Sequence, residues 1–510
     1  MIATANKVAV ATTSRLAADA AAEIADLGGN AVDCGIAAAM CSINTQPGVC
    51  ALVGSAYVAI WGPDNKPVTI DGNVAIPGIG QDANAKPLPE PVELDYGGGI
   101  ETLVGASSVA VPGTLAALYL ASRRYGSLPW RDLLQPTIRA TRDGFPLPAA
   151  CHYFLEFAGD KIYGRSKDGH AALHDAEGSL LDPGSTILVP HLADSLTAIA
   201  EEGERVFYEG YLGQLVVDHI QSHGGLLTND DLKKYSPQVR SSLIVESGGW
   251  QIATNPPPAI GGANLAAMLL GFGTDKLDAW DDSSIRRLIQ TQQAAMCYRR
   301  DSLDLADDVS APVAEMLRLA ASGELISKYS SGSTVHTSVV DRSGMACAVT
   351  ASSGYGSGEM PRDTGLWLNN CLGELELNRH GLTAGPPGKR LPSNMAPGAA
   401  RSKNAVLAFG SPGADRITTA LHQFLVNFLQ LDLDLDKAIE HPRLHLKIDG
   451  ANSEVAVEPG INLPDSNFNV RHYETINMYF GGVVAALFDD TGGFRVAADP
   501  RREGGTFIGP

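Results

Sequence analysis

Thr334 stands where a polar stretch meets strand-like sequence, and that position could make it a catalyst. The preceding residues, Lys328 to Ser333, are mostly polar, whereas TVHTSVVD alternates as a strand does. Cleavage after Ser333 would place a hydroxyl and a free α-amine on one residue. An α-amine has a reference pKa of about 7.7–8.0, so it can take the hydroxyl proton near neutral pH. The sequence thus offers a nucleophile with its own base, although threonine is also common in ordinary strands.

GSPGADRI (410–417) is a candidate site for an oxyanion, although an ordinary turn is the favoured interpretation from these residues alone. This Gly-Pro-Gly turn runs into a predicted helix, where backbone N–H groups can converge on negative charge. Gly413 would permit close approach of a ligand. An ordinary turn has the same sequence features, so the motif alone leaves both interpretations open.

The histidines near these segments are interpreted as structural. His336 lies two residues after Thr334 and on the same face of the strand, which makes it a candidate base, but a hydrogen-bonded strand histidine is the favoured interpretation. His441 and His445 are spaced like a helical metal pair, yet Pro442 and the strand-like surroundings argue against a helix. No third ligand is evident, so we predict no metal and no cofactor. The sequence contains no G-x-S-x-G elbow, so it does not indicate a Ser-His-Asp hydrolase.

Composition excludes several classes of partner. The net charge of −19 argues against nucleic acid, which requires clustered Lys and Arg. No apolar run reaches the roughly 18 residues of a membrane span, and the N-terminus lacks a signal-peptide pattern. The seven cysteines are odd in number and contain no C-x-x-C pair. We therefore expect reduced thiols, a cytoplasmic location, and neither a membrane nor a nucleic-acid partner.

The elements that must position these residues are helices interleaved with hairpins. A helix at 16–27 ends at Gly28-Gly29, and Asn30 is expected to cap a second helix at 31–43. Period-two alternation predicts two hairpins, from 55–62 with 66–72 and from 334–341 with 345–352. Further helices are predicted within 109–146, 191–222, 263–272, 283–300 and 414–430, and residues 160–190 are predicted as a surface loop. Such a pattern indicates sheets covered by helices.

Taken in order, these segments resemble the γ-glutamyltransferase (γ-glutamyltranspeptidase) family of N-terminal-nucleophile (Ntn) hydrolases. The resemblance covers nearly the whole chain. It rests on GGNAVDCGIAAAM (28–40), VAVPGTLAALYLASRRYGSLPWRDLLQPTI, DGFPLP, NPPPAIGGANLAAML (255–269), TVHTSVVDRSGMACAVT, GSGEM, GLWLNN, KRLPSNMAP and GSPGADRI.

The resemblance implies an α/β fold, a four-layer αββα sandwich made as a precursor that cleaves itself before Thr334. A large segment 1–333 and a small segment 334–510 would together form one catalytic unit, a heterodimer whose further oligomerisation is left open.

The resemblance also implies roles for four residues. Thr334 would attack an acyl carbonyl and form an ester, with its α-amine as base. The backbone N–H groups of Gly413 and Ala414 would bind the oxyanion, and the Ser352 hydroxyl would support the nucleophile. Water or an amine would then release the acyl group.

Substrate-binding positions depart from the family. Asn73 stands where the family has an arginine that holds the substrate α-carboxylate, and the loss of that charge is not conservative. Glu374 occupies the acidic position that would bind the α-amine. Cys371 replaces an amide or acid, Ser393 matches the first of two family serines, and Asn394 replaces the second.

The leading interpretation is a self-processing threonine hydrolase or acyltransferase that cleaves a γ-glutamyl or related amide of a small molecule. An alternative is a member with altered specificity, acting on a non-glutamyl amide or as a C–C hydrolase. A third interpretation, from another class, is a catalytically silent binding homologue. Thr334 and the Gly413 turn favour an enzyme, and self-cleavage would discriminate, because a binding protein need not cut itself.

Overall fold

A computed structural model describes residues 7–82, 87–96, 99–304, 306–325, 334–383, 385–447, 453–464 and 468–509. The predicted cleavage-site residue Ser333 lies outside these ranges. The strands are β1 Val8–Thr12, β2 Ser55–Trp61, β3 Val68–Gly72, β4 Glu90–Leu94, β5 Ile100–Val104, β6 Phe145–Pro146, β7 Thr186–Ile187, β8 Gln238–Ser241, β9 Leu243–Ser247, β10 Trp250–Thr254, β11 Val335–Asp341, β12 Ala346–Ser352, β13 Gly398–Arg401, β14 Ala405–Gly410, β15 Leu444–Lys447, β16 Glu454–Val457, β17 Asn469–His472, β18 Val484–Asp489, β19 Gly493–Ala498 and β20 Gly505–Ile508.

The α-helices are α1 Arg15–Asp26, α2 Ala31–Thr45, α3 Thr114–Tyr125, α4 Trp130–Asp143, α5 Ala149–Ala158, α6 Lys167–Leu173, α7 Leu192–Glu202, α8 Arg205–Tyr208, α9 Tyr211–Ser222, α10 Asn229–Lys234, α11 Gly261–Phe272, α12 Asp282–Ser302, α13 Ser310–Ser322, α14 Arg416–Leu429 and α15 Leu435–Glu440.

Two antiparallel sheets form the centre of the molecule. The first has seven strands in the order β20–β1–β11–β12–β2–β3–β8, and the second has six in the order β19–β18–β14–β13–β10–β9. Both predicted hairpins are confirmed as neighbouring strands of the first sheet. The buried side chains between the sheets are mostly small, which lets the two layers approach closely; they are Ala9, Ala59, Trp61, Ala253, Val340, Ala346, Ala348, Ala399, Val406, Ala408 and Ala486.

Helices cover the outer face of each sheet. Helix α2 lies against β11 and β12, where a Cβ on Gly35 would be 3.0 Å from the Cys347 sulfur. Helices α11 and α14 bury leucines such as Leu265 and Leu421 against the second sheet. The layer order is therefore helix, sheet, sheet, helix, which confirms the predicted four-layer αββα architecture.

Local sequence signals account for the first helices. The Asn30 side chain accepts hydrogen bonds from the backbone N–H groups of Val32 and Asp33, and the Asp33 carboxylate accepts one from the Asn30 N–H. This capping box confirms the predicted start of α2.

The predicted loop at 160–190 is wrong in part. It contains α6 and β7, because Ser166 caps the short helix and Leu173 is fully buried beneath it.

The packing of β14 against β11 generates a stability prediction. An added Cβ on Gly410 would lie 2.1 Å from Cε1 of the buried His336, so Gly410→Ala should lower the free energy of unfolding by at least about 1–3 kcal/mol. The control is Gly271→Ala at the end of α11, where the nearest atom is 3.5 Å away and a helix favours alanine. Urea unfolding of both variants should separate them, and equal stability would contradict the packing described here.

Candidate active site

The register of the first sheet aligns four polar residues across neighbouring strands. Val335 pairs with Ala351, so Thr334 continues the register opposite Ser352. Ser352 in turn pairs with Ser55. The pairing of the next residues along β2 and β3 continues the row to Asn73. Thr334, Ser352, Ser55 and Asn73 all line one cleft.

The opposite walls of this cleft come from three loops of the C-terminal third. They contribute Cys371, Glu374, Leu377, Leu391, Pro392, Ser393, Asn394, Met395 and Ala414. Nine of the predicted site residues are described by the structure, and eight of them line this cleft. The ninth, Gly413, is the neighbour of Ala414 in the chain. Ser55 was not predicted, because nothing marks it in the sequence except its position at the start of β2.

Thr334 directly precedes β11 and is only 2% exposed. The candidate base on the same strand, His336, is occupied elsewhere. Its Nδ1 lies 2.7 Å from the Thr350 hydroxyl and its Nε2 lies 2.9 Å from the Ser338 hydroxyl. Burial lowers the pKa of His336 to about 3, so the ring is neutral at physiological pH. The structural interpretation of His336 is confirmed.

The pair in HPRLHL does not form a metal site. His441 ends α15, whereas His445 lies in β15, so the two residues do not share a helix. His445 Nδ1 lies 3.0 Å from the Thr419 hydroxyl, and its Nε2 lies 2.9 Å from Asp415 Oδ2. His445 therefore supports the loop that carries Gly413 and Ala414.

That loop presents two backbone N–H groups with no internal acceptor. Gly413 has φ +119° and Ala414 has φ +72°, a left-handed conformation that is unusual for alanine. A Cβ on Gly413 would lie 2.7 Å from the Gly481 Cα, which explains the glycine. Within the described part of the chain, neither N–H donates a hydrogen bond. Strained backbone with unused donors is typical of a functional site.

A buried ion pair holds the loop in place. The Arg416 guanidinium donates to Asp415 Oδ1 at 2.8 Å and to the Tyr479 carbonyl at 3.0 Å. Burial alone would raise the pKa of Asp415, but His445 and Arg416 outweigh it and hold the pKa below its usual range. The carboxylate is therefore charged, and the loop is fixed from behind.

Asn73 is committed to the wall of the cleft. Its side-chain amide donates to the Leu391 carbonyl at 2.6 Å. The backbone carbonyl of Asn73 accepts hydrogen bonds from the Tyr235 hydroxyl and from the Arg390 guanidinium, both at 2.6 Å. Arg390 lies near Asn73 but stacks over the Tyr235 ring at 4.2 Å and does not line the cleft.

Glu374 is a buried acid without a cationic partner among the described residues. Burial, with a smaller contribution from Glu376, raises its pKa to about 8, and a hydrogen bond with Cys371 opposes the shift. Burial and the neighbouring Glu374 together raise the pKa of the Cys371 thiol. Glu374 is thus mostly protonated near neutral pH, and Cys371 is a thiol rather than a thiolate.

The cleft contains a buried hydroxyl, a protonated acid and the unused N–H donor of Ala414, and the unused N–H of Gly413 lies next to it in the chain. These are the parts that acyl transfer requires: a nucleophile, a site for an oxyanion and a polar group for substrate. Elsewhere in the described residues, no helix has the length and apolar character to span a membrane.

Comparison with known proteins places this arrangement in a family. The family model described as Gamma-glutamyltranspeptidase matches residues 17–508. The chain is 28% identical over 494 residues to the glutathione hydrolase proenzyme of Escherichia coli (strain K12), a match that covers 90% of this chain and 83% of that protein. It is also 28% identical over 465 residues to the acylase ACY 1 proenzyme of Pseudomonas sp. (strain V22), covering 87% and 83%.

A solved structure extends the likeness to the fold. The crystal structure of cephalosporin acylase from Bacillus halodurans superposes with a TM-score of 0.79 at 22% identity, covering 99% of this chain and 96% of that one.

The raised pKa of Glu374 predicts how stability depends on pH. Between its ordinary value of 4.5 and about 8, the unfolded chain loses this proton while the folded chain keeps it. Stability should therefore fall as pH rises through this window, by up to about 1.4 kcal/mol per pH unit. Glu374→Gln should flatten the fall, whereas Glu101→Gln, which changes an exposed acid on β5, should not. Thermal unfolding across the window measures this, and parallel curves for wild type and Glu374→Gln would refute the buried neutral acid.

Proposed function

The chain belongs to the gamma-glutamyltranspeptidase family, and on that premise we propose that it is a self-processing threonine enzyme that hydrolyses or transfers the acyl group of amides through Thr334. The observation that carries the proposal is the meeting of Thr334 with the loop of Gly413 and Ala414 at one cleft. The likeness to both a glutathione hydrolase and an acylase supports amide chemistry.

The proposed reaction begins with the Thr334 Oγ attacking the substrate carbonyl while the α-amine of Thr334 accepts the hydroxyl proton. The Gly413 and Ala414 N–H groups stabilise the oxyanion of the tetrahedral intermediate. The C–N bond then breaks, and the α-amine returns the proton to the leaving amine. Water, or the amine of an acceptor, releases the acyl group from the ester and restores Thr334. Ser352, opposite Thr334 in the register, would position the nucleophile.

We propose that the chain breaks after Ser333 and that the fragments 1–333 and 334–510 stay together as a heterodimer. Sheet topology supports this, because β11, the first strand after the break, lies between β1 of the large fragment and β12 of the small one. The second sheet is shared as well, with β9 and β10 from the large fragment and the remaining strands from the small one. Separation would therefore expose both central sheets.

We propose two further properties of the protein. The substrate is a small-molecule amide, of γ-glutamyl or related type. A cytoplasmic location is supported by the cysteines, since all seven are buried free thiols, as expected in a reducing compartment. A catalytically silent binding protein is the less favoured reading, because such a protein has no need of the unused donors at Gly413 and Ala414.

Removal of the Thr334 hydroxyl tests the proposal. Thr334→Ala should remain one chain of 53.5 kDa without activity, whereas wild type should give two fragments, the smaller beginning at Thr334. Thr334→Ser should process slowly and keep some activity, because the hydroxyl survives without the positioning methyl group. Intact mass spectrometry distinguishes these outcomes.

A matched control is Thr337→Ala, on the same strand. The Thr337 hydroxyl lies 3.0 Å from that of Thr12, on the opposite face of the sheet from Thr334, so this variant should still be cut. Cleavage of Thr334→Ala would remove Thr334 from the processing step.

A further inference from the structure

The cleft beside Thr334 has an unusual balance of charge. Of the fourteen described residues that line it, only Glu374 carries an ordinarily charged side chain, and none is Lys or Arg. The remaining lining is hydroxyl, amide, thiol and apolar. The α-amine of Thr334 must be uncharged to act as the base in the proposed reaction. A charged group on the substrate must therefore find its partner in Glu374 or remain uncompensated.

Arg390, which directly precedes the lining residue Leu391 in the chain, is held away from the cleft by other contacts. Arg390 donates to the carbonyls of Asn73 and Ser236 at 2.6 and 2.7 Å and stacks on Tyr235. Turning it toward the cleft would leave both carbonyls without this donor. Asn73, whose amide already donates to the Leu391 carbonyl, offers no charge in its place.

Glu374 itself also lacks a positively charged neighbour among the described residues. Its side chain is buried and forms a hydrogen bond with the Cys371 thiol, and no ion pair of the described residues includes it. An ammonium group bound beside it would draw off its proton and form a charge-assisted hydrogen bond. A carboxylate bound there would lose its hydration beside an acid, and no Lys or Arg of the cleft lining would offset that free energy of desolvation.

We propose that the preferred acyl donors carry an amino group and no carboxylate at the end of the acyl chain, as in a 4-aminobutyryl amide. This inference rests on the proposed function and narrows its substrate. It predicts that γ-glutamyl amides, which carry both groups, are poorer donors, and that glutaryl amides, which carry only the carboxylate, are poorer still.

Four anilides of one chain length test the inference: 4-aminobutyryl, γ-glutamyl, glutaryl and butyryl p-nitroanilide. Hydrogen bonds to charged groups are worth enough to separate kcat/KM by at least about tenfold. The 4-aminobutyryl compound should therefore exceed butyryl by about tenfold or more, and glutaryl should fall below butyryl. A γ-glutamyl or glutaryl donor turned over faster than 4-aminobutyryl would overturn the inference.

Variants assign the effect to its residue. Glu374→Gln keeps the shape but not the charge, so the ratio of 4-aminobutyryl to butyryl turnover should fall at least about tenfold, while the exposed control Glu101→Gln should keep the wild-type ratio. An unchanged ratio in Glu374→Gln would refute the role of this acid. Failure of the proposed function looks different, since the chain would then stay uncut and turn over none of the four anilides.

An independent cluster lies at the C-terminal end of α9. His219 Nε2 is 2.7 Å from Glu359 Oε2, and the ring centroids of His219 and His223 are 4.4 Å apart, with the ring planes tilted by 34°. The ligating atoms of these three residues all lie within 4.8 Å of one another. The His223 Nδ1 lies 2.8 Å from the His219 carbonyl, and donation to it leaves the His223 Nε2 with a free lone pair. Such a backbone bond is the support that metal-binding histidines commonly have.

The segment that carries Glu359 is held independently of the histidines. The Glu359 N–H donates to the Ser357 hydroxyl at 3.2 Å, and the Glu359 carbonyl accepts from the Leu368 N–H at 3.0 Å. The geometry points to a divalent transition-metal site, of the two-histidine, one-carboxylate type that suits Zn²⁺, joining α9 to this segment. Its metal would stabilise the fold and takes no part in the proposed reaction.

Titration of the full-length protein with ZnCl2 tests this site by calorimetry and thermal unfolding. Wild type should bind one Zn²⁺ with a rise in Tm, and His223→Ala, which removes an exposed ring, should bind at least about tenfold more weakly. His472→Ala, an exposed histidine on β17, is the control and should bind as wild type does. No saturable binding by wild type, or equal binding by His223→Ala, would overturn the site.

Discussion

The pairing of β11 with β1 on one side and β12 on the other is the constraint on which the site depends. Backbone hydrogen bonds to both neighbours fix where β11 begins, and therefore where Thr334 stands relative to Ser352. The same register continues to Ser55 and Asn73. A slip of one residue would turn Thr334 to the opposite face of the sheet, away from the loop of Ala414. The close packing of Gly410 against His336 makes such a slip costly.

The buried acids around the site differ in whether a cation lies beside them. Behind the loop of Gly413 and Ala414, Asp415 is paired with Arg416 and His445. Asp499 is paired with Arg443 at 2.7 Å and with Arg501. Burial opposes ionisation of both acids, but the neighbouring cationic side chains hold the pKa of Asp415 and of Asp499 below its usual range, so both are ionised. Glu374 in the cleft has no such cationic partner among the described residues, and burial raises its pKa to about 8.

Local signals in the sequence were sufficient for the parts of the fold that depend on near neighbours. Asn30 and the paired glycines before it predicted the start of α2, and alternation predicted the hairpin that carries Thr334. The hairpins β9–β10 and β13–β14 were not predicted, because their strands are only four to six residues long. The pairing of β10 with β13, which joins the two hairpins, depends on segments distant in the chain. The helix α13 was missed as well. The helix predicted at 414–430 begins only at Arg416, since Ala414 is left-handed.

The sequence was sufficient to predict which residues form the candidate site, but not their hydrogen bonds or protonation states. Its residues were found through motifs, yet the state of each depends on partners remote in the chain. The Asn73 side chain donates a hydrogen bond to the carbonyl of Leu391, 318 residues away, which no local pattern could reveal. The neutral state of Glu374 likewise follows from burial rather than from its neighbours in sequence.

The most direct test of the account is the mass of the small fragment after rapid acid quench during turnover of an activated acyl donor. We expect a fragment that begins at Thr334 and carries one acyl group on that residue, which hydroxylamine removes. An acyl group on another side chain, or a fragment that begins elsewhere, would contradict it.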